Sequence, residues 1–248
     1  MTDQTALSEE AAERFSSIAE TAVARAGRFT VALAGGSTPR PVYARLATEP
    51  YRSRIPWRRT MFFWGDERCV PPDHPDSNYR MGEETLLRHL PVAPEGVYRM
   101  RGEDREPARA ASSYEQLLRT AFQLGVGERP RFDLILLGMG ADGHTASLFP
   151  GSPALAERAH LVAAPYVERL LAHRLTLTLP VLNAAAATLF LISGREKAEI
   201  LRSVLDPSSS DNQLPARQIC PPDGRLIWLV DQPAASLLDR PTREEEAR

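Results

Sequence analysis

Five short apolar runs, at residues 29–34, 60–64, 132–137, 188–193 and 226–230, constrain what this chain can fold into more than any other feature. Each has strand length and β-branched or aromatic members, and each is followed by glycine or a polar turn. Because they are apolar throughout instead of alternating, they predict strands buried on both faces. Such strands need helices above and below, so the alternation of strand and helix predicts an α/β fold with a mostly parallel central sheet and right-handed crossovers. The chain has 248 residues, 43% of them hydrophobic, enough for a substantial core. It reads as one domain over residues 1–248, with a charged tail at 242–248 that frays.

Before the first run, Ala11, Phe15, Ile18, Ala22 and Ala26 trace one helical face that stops at Gly27. Ser8 is the expected N-cap of that helix, with Glu9 and Glu10 in its first turn. Pro39 suits the opening of a second helix running through Tyr43 and Leu46. Leu175-Thr176-Leu177-Thr178-Leu179 alternates apolar with polar and predicts a strand nearer a sheet edge. Residues 207–222, around Ser208-Ser209-Ser210-Asp211-Asn212, predict a long polar connection into the last strand.

Several classes of function are disfavoured. Lys and Arg number 30 against 32 Asp and Glu, so there is no basic field for nucleic acid or an anionic membrane, and a small molecule is the expected ligand. Two cysteines, Cys69 and Cys220, are too few for a disulfide framework and predict a reducing, cytoplasmic setting. Residues 1–10 lack the basic residues and apolar run of a secretory signal, and no stretch reaches the roughly 18 apolar residues of a membrane span. Neither C-x-x-C nor H-E-x-x-H occurs, so no metal site is expected. The missing G-x-G-x-x-G argues against a dinucleotide, and Ser147 lacks the G-x-S-x-G setting of a nucleophile. A monomer or weak homodimer is expected.

In open α/β sheets, ligands collect at the carboxyl ends of the strands, where helix N-termini offer unpaired N–H groups. Four segments fall at such ends. Gly35-Gly36-Ser37-Thr38-Pro39 joins two glycines, two hydroxyls and an immediate helix start. A phosphate fits there, and so does an ordinary turn capped by Ser37 or Thr38. Gly65-Asp66-Glu67-Arg68 puts three charges at the end of an aromatic strand, which is costly unless they are paired or used. A Glu67–Arg68 ion pair is one outcome, with Asp66 still facing a ligand.

The third segment is Gly138-Met139-Gly140-Ala141-Asp142-Gly143-His144. An imidazole accepts a proton readily near neutral pH, and Asp142 can orient His144 or raise its basicity. The competing reading is a structural Asp-Gly turn; the strand-end position and the glycines favour a catalytic base. The fourth comprises Arg174 and Gly194-Arg195-Glu196-Lys197, in which Arg174 and Lys197 offer the permanent charge a phosphate needs, or are solvated surface cations. His74, His89, His160 and His173 lack a comparable context.

Taken in order and spacing, these segments resemble the 6-phosphogluconolactonase family of the glucosamine/galactosamine-6-phosphate isomerase superfamily. The resemblance covers nearly the whole chain and includes Asp76-Ser77-Asn78-Tyr79 and the continuation Thr145-Ala146-Ser147-Leu148-Phe149-Pro150. It implies a Rossmann-like three-layer αβα fold, no cofactor, and hydrolysis of 6-phosphogluconolactone in the pentose phosphate pathway. It further implies that His144 activates water with support from Asp142. The phosphate falls to Gly35, Gly36, Ser37, Thr38, Arg68, Arg174 and Lys197, with Asp66 facing the substrate.

Two other readings are set apart by particular residues. A glucosamine-6-phosphate deaminase-like isomerase would carry a glutamate soon after the histidine, where this chain has Ser147-Leu148-Phe149-Pro150. A non-catalytic sugar-phosphate sensor attached to DNA would need a helix-turn-helix, and only one helix precedes the first strand.

Overall fold

The computed structural model describes residues 1–206 and 213–238. In chain order, α1 (Gln4–Ala26) leads to β1 (Phe29–Leu33), α2 (Pro39–Leu46), the single turn α3 (Tyr51–Arg54), β2 (Thr60–Trp64), β3 (Asp66–Arg68), α4 (Asn78–Thr85) and α5 (Pro107–Phe122). There follow β4 (Leu134–Leu137), β5 (Val162–Ala163), β6 (Tyr166–Val167), β7 (Ala172–Leu177), α6 (Leu179–Leu182), β8 (Ala187–Ile192), α7 (Ala198–Leu205) and β9 (Arg225–Val230).

The five apolar runs form one sheet in the order β2-β1-β4-β8-β9, with every neighbouring pair parallel. Successive side chains leave opposite faces, and both faces are buried. Val31, Leu33, Leu134, Leu136, Leu189 and Leu191 pack with α1, α2 and α4 on one side. Ala32, Ile135, Leu137, Phe190 and Ile192 pack with α5 and α7 on the other. This is the three-layer αβα arrangement, and it explains why the runs show no polar alternation.

Local expectations need three corrections. Helix α1 starts one turn earlier than Ser8: Asp3 is its N-cap, accepting from Ala6 N at 2.9 Å, while Ser8 is buried and donates to Gln4 O. Its stop at Gly27 is as expected, with φ +70° and the Gly27 N–H on Val23 O. The third strand begins at Leu134, because Asp133 turns its carboxylate to the Thr30 N–H and hydroxyl. Residues 175–179 are no edge strand of the main sheet. Residues 172–177 are instead the middle strand of a second, antiparallel sheet ordered β3-β7-β5, with β6 also on β7, and Leu179 already opens α6. Of the polar connection, residues 213–222 include a short 3-10 turn at Pro215–Gln218, whereas its core, Ser208 to Asn212, and the 242–248 tail lie outside the described residues.

Gly65 joins the two sheets. Its N–H bonds Leu33 O of β1 and its carbonyl accepts from Leu177 N of β7. Two tyrosines clamp the strand exits nearby: the Tyr43 hydroxyl accepts from Ala34 N and donates to Ala34 O, and the Tyr114 hydroxyl accepts from Trp64 N. The small sheet is thereby held against the carboxyl ends of β1 and β2.

Candidate active site

Between β1 and β4 the strand order reverses direction, so the loops leaving those two strands part and leave a crevice. A cavity of about 610 Å³ opens there. Gly35, Gly36, Ser37, Thr38, Asp66, Arg68, His144, Arg174 and Lys197 line it, although they come from four separated segments. Asp142 does not line the cavity; it stands behind His144.

The turn after β4 is built around that pair. Gly140 N bonds His144 O, Gly143 N bonds Gly140 O, and the Thr145 hydroxyl returns to Gly138 O. Gly143 adopts φ +78°, and any side chain at Gly140 would collide with the ring of His144 and the carboxylate of Asp142. Within this frame Asp142 Oδ1 lies 2.5 Å from His144 Nδ1 and also accepts the His144 backbone N–H at 3.2 Å. A carboxylate only accepts, so Nδ1 carries the proton and Nε2 keeps its lone pair. Burial pushes the Asp142 carboxyl up, but the hydrogen bonds and charge of His144, together with Arg169, outweigh burial and hold it below the ordinary range.

The opposite wall is cationic. Arg68 and Arg174 are directly paired across β3 and β7, so their side chains leave the same face. Among the described residues neither has a carboxylate within ion-pair distance; Arg68 donates to Asp76 O at 2.7 Å and Arg174 to His173 O at 3.1 Å. Burial, then the facing Arg68, push the Arg174 guanidinium below its ordinary range. Two like charges set opposite one another are unfavourable until an anion lies between them. The Lys197 ammonium likewise has no acidic partner among the described residues.

The glycine turn completes this wall. Thr38 precedes α2 without any side-chain cap, Pro39 stands at the first helical position, and the hydroxyls of Ser37 and Thr38 therefore remain available. Gly36 has φ +103°, and among the described residues the N–H groups of Gly36, Ser37 and Thr38 have no acceptor. Uncapped N–H groups at a helix start form an anion seat.

The acidic segment divides by role. Glu67 does not pair with the Arg68 guanidinium. Its carboxylate accepts from Arg68 N, Asn78 N and Tyr79 N at 2.7–2.8 Å and from the Ser77 hydroxyl, anchoring the first turn of α4. Burial pushes its carboxyl above the ordinary range, against the pull of those backbone N–H groups. Asp66 faces the cavity, steadied by the Ser147 hydroxyl at 2.7 Å and the Asn78 amide at 3.2 Å. Ser147 is thus a buried donor to Asp66.

Sequence reasoning missed Asn78, Phe149 and Arg169. Asn78 fills the space beside Gly35, where any side chain would strike its amide. Phe149 lies 4.4 Å, ring to ring, from His144. Arg169 reaches Asp142 Oδ2 at 2.8 Å from the turn between β6 and β7. Asn78 and Phe149 sit inside the motifs quoted above, so the resemblance could have found them; nothing local marks Arg169.

Comparison with known proteins agrees with this geometry. A 6-phosphogluconolactonase of Nostoc sp. is 41% identical over 95% of both chains, and one of Synechocystis sp. is 43% identical over 88% of both. The structure of 6-phosphogluconolactonase from Trypanosoma brucei superposes with a TM-score of 0.84 at 31% identity, covering 96% of this chain and 97% of that one. The family model for glucosamine-6-phosphate isomerases/6-phosphogluconolactonase matches residues 2–228, and the chain belongs to that family.

Proposed function

We propose that this chain hydrolyses 6-phospho-D-glucono-1,5-lactone to 6-phospho-D-gluconate, the lactone-opening step of the pentose phosphate pathway. One observation carries the reading: a histidine with its Nδ1 held by Asp142 shares a cavity with two guanidiniums that, among the described residues, have no carboxylate within ion-pair distance. A base for water and a seat for a phosphate then face one ligand. The curated relatives bearing this activity in their names support the same substrate.

In this mechanism His144 Nε2 takes a proton from water as the water oxygen bonds to the lactone carbonyl carbon, and the carbonyl π pair moves onto its oxygen. Backbone N–H groups of the glycine turns stabilise that oxyanion. Collapse restores the carbonyl and breaks the bond to the ring oxygen, which receives the proton from the His144 imidazolium. The new carboxylic acid then ionises to solvent. Asp142 holds the reactive tautomer and stabilises the transient imidazolium. Arg68, Arg174, Lys197 and the turn from Gly35 to Thr38 hold the phosphate, and Asp66 accepts from a sugar hydroxyl. Anchoring a group that does not react places the carbonyl beside the base. The cytoplasm is the proposed setting, which suits the free thiols of Cys69 and Cys220.

The test is proton release from freshly made 6-phosphogluconolactone, set against its spontaneous hydrolysis. Acceleration with 6-phosphogluconate as product is expected. No acceleration, or ammonia released from glucosamine 6-phosphate instead, overturns the assignment.

A further inference from the structure

Arg169 belongs to none of the four strand-end segments, yet it closes a circuit around the catalytic pair. Its Nη2 takes Asp142 Oδ2 at 2.8 Å, the carboxylate oxygen that His144 leaves unused. Its guanidinium lies 4.6 Å above the ring of Phe149, and Phe149 in turn packs against His144. A residue of the turn between β6 and β7 thus touches both the partner and the neighbour of an imidazole carried by the main sheet.

We propose that Arg169 is a positioning residue for proton transfer at His144, fixing the Asp142 carboxylate and tempering its pull on the imidazole proton. The proposal rests on the reading of His144 as the base. An aspartate alone at Nδ1 favours the charged imidazolium over the neutral ring. A cation on the far carboxylate oxygen opposes that bias while leaving the tautomer intact. Other charged groups line the same cavity as the imidazole, namely Asp66, Arg68 and Arg174 from the small sheet and Glu196 and Lys197 from the turn after β8. Among the described residues Arg169 is the cation in ion-pair contact with Asp142. Its side chain is 52% exposed, so solvent screens its charge and the effect is modest.

The experiment is an NMR titration of the His144 ring in the substrate-free protein, its resonance assigned by its absence in His144→Gln. Arg169→Gln is expected to raise the midpoint by about 0.5 pH unit, a threefold gain in proton affinity, while Arg169→Lys stays with the unaltered protein. The acidic limb of kcat/KM for the lactone should move upward with it. A midpoint unmoved in Arg169→Gln, or a shift that Arg169→Lys fails to reverse, overturns the proposal. The titration needs no substrate. Failure of the unaltered protein to hydrolyse the lactone would therefore count against the functional reading, separately from the result for Arg169.

Discussion

His144 and Arg174 line one cavity, but the chain prepares them in opposite ways. His144 sits on a turn of the main parallel sheet with its Nδ1 committed to Asp142, and Gly140 leaves room for that contact. Arg174 sits on the small antiparallel sheet, half-buried opposite another arginine and, among the described residues, with no carboxylate within ion-pair distance. The difference follows from what each must do. A base depends on a fixed tautomer and a controlled proton affinity, so its partners are built in. A group that binds an anion gains most when its hydrogen bonds remain unmade until the ligand arrives.

The largest blow to this contrast is His144→Ala. It should lower kcat for lactone opening by about 10²- to 10⁴-fold with little change in thermal midpoint, since the ring is partly exposed and leaves no buried charge unpaired. Retained turnover would remove His144 from the chemistry. Next comes Glu67→Gln, which touches neither half directly but anchors α4 beneath the cationic wall. A carboxamide turns a donor toward backbone donors, and a loss of about 2–4 kcal/mol is expected in urea unfolding. A loss under about 0.5 kcal/mol would show that the anchoring bonds count for little.

Arg174→Ala sharpens the contrast from the other side. Calorimetry should show affinity for 6-phosphogluconate falling about tenfold, while urea stability holds or rises because a like-charge neighbour is gone. A drop in stability without a drop in affinity would reverse the assignment. The smallest effect concerns acid stability. Asp142 binds its proton less readily in the folded chain than in the unfolded one. Its contribution is therefore complete above the ordinary carboxylate value near 3.9 and is lost as pH falls through the lower folded value. Asp142→Asn should flatten the fall in stability across that window by under about 1 kcal/mol, and an unchanged slope would count against the ion pairs seen around Asp142.

Much of the main sheet was legible because a strand buried on both faces leaves a continuous apolar run. Thr60–Trp64 coincides with its run, and the other four differ at their ends by one or two residues. The alternating run at 175–179 was harder. A period of two reports that one face is drier than the other, but says nothing of which sheet the strand joins. Of the outcomes open for Glu67 and Arg68, their mutual ion pair does not form, because adjacent residues of an extended strand point to opposite faces. Glu67 went to the helix start and Arg68 to the cavity.

The sequence by itself determined the alternation of buried strands and helices, the glycine turns at their ends and the candidate base, because each depends on short-range geometry or on one residue's chemistry. Only the tertiary structure decided that Arg68 and Arg174, 106 positions apart by number (174 − 68), face each other. It also decided that Arg169 reaches Asp142. Both meetings depend on how the small sheet hangs from Gly65, and the position of one sheet relative to another is set by packing that no local pattern encodes.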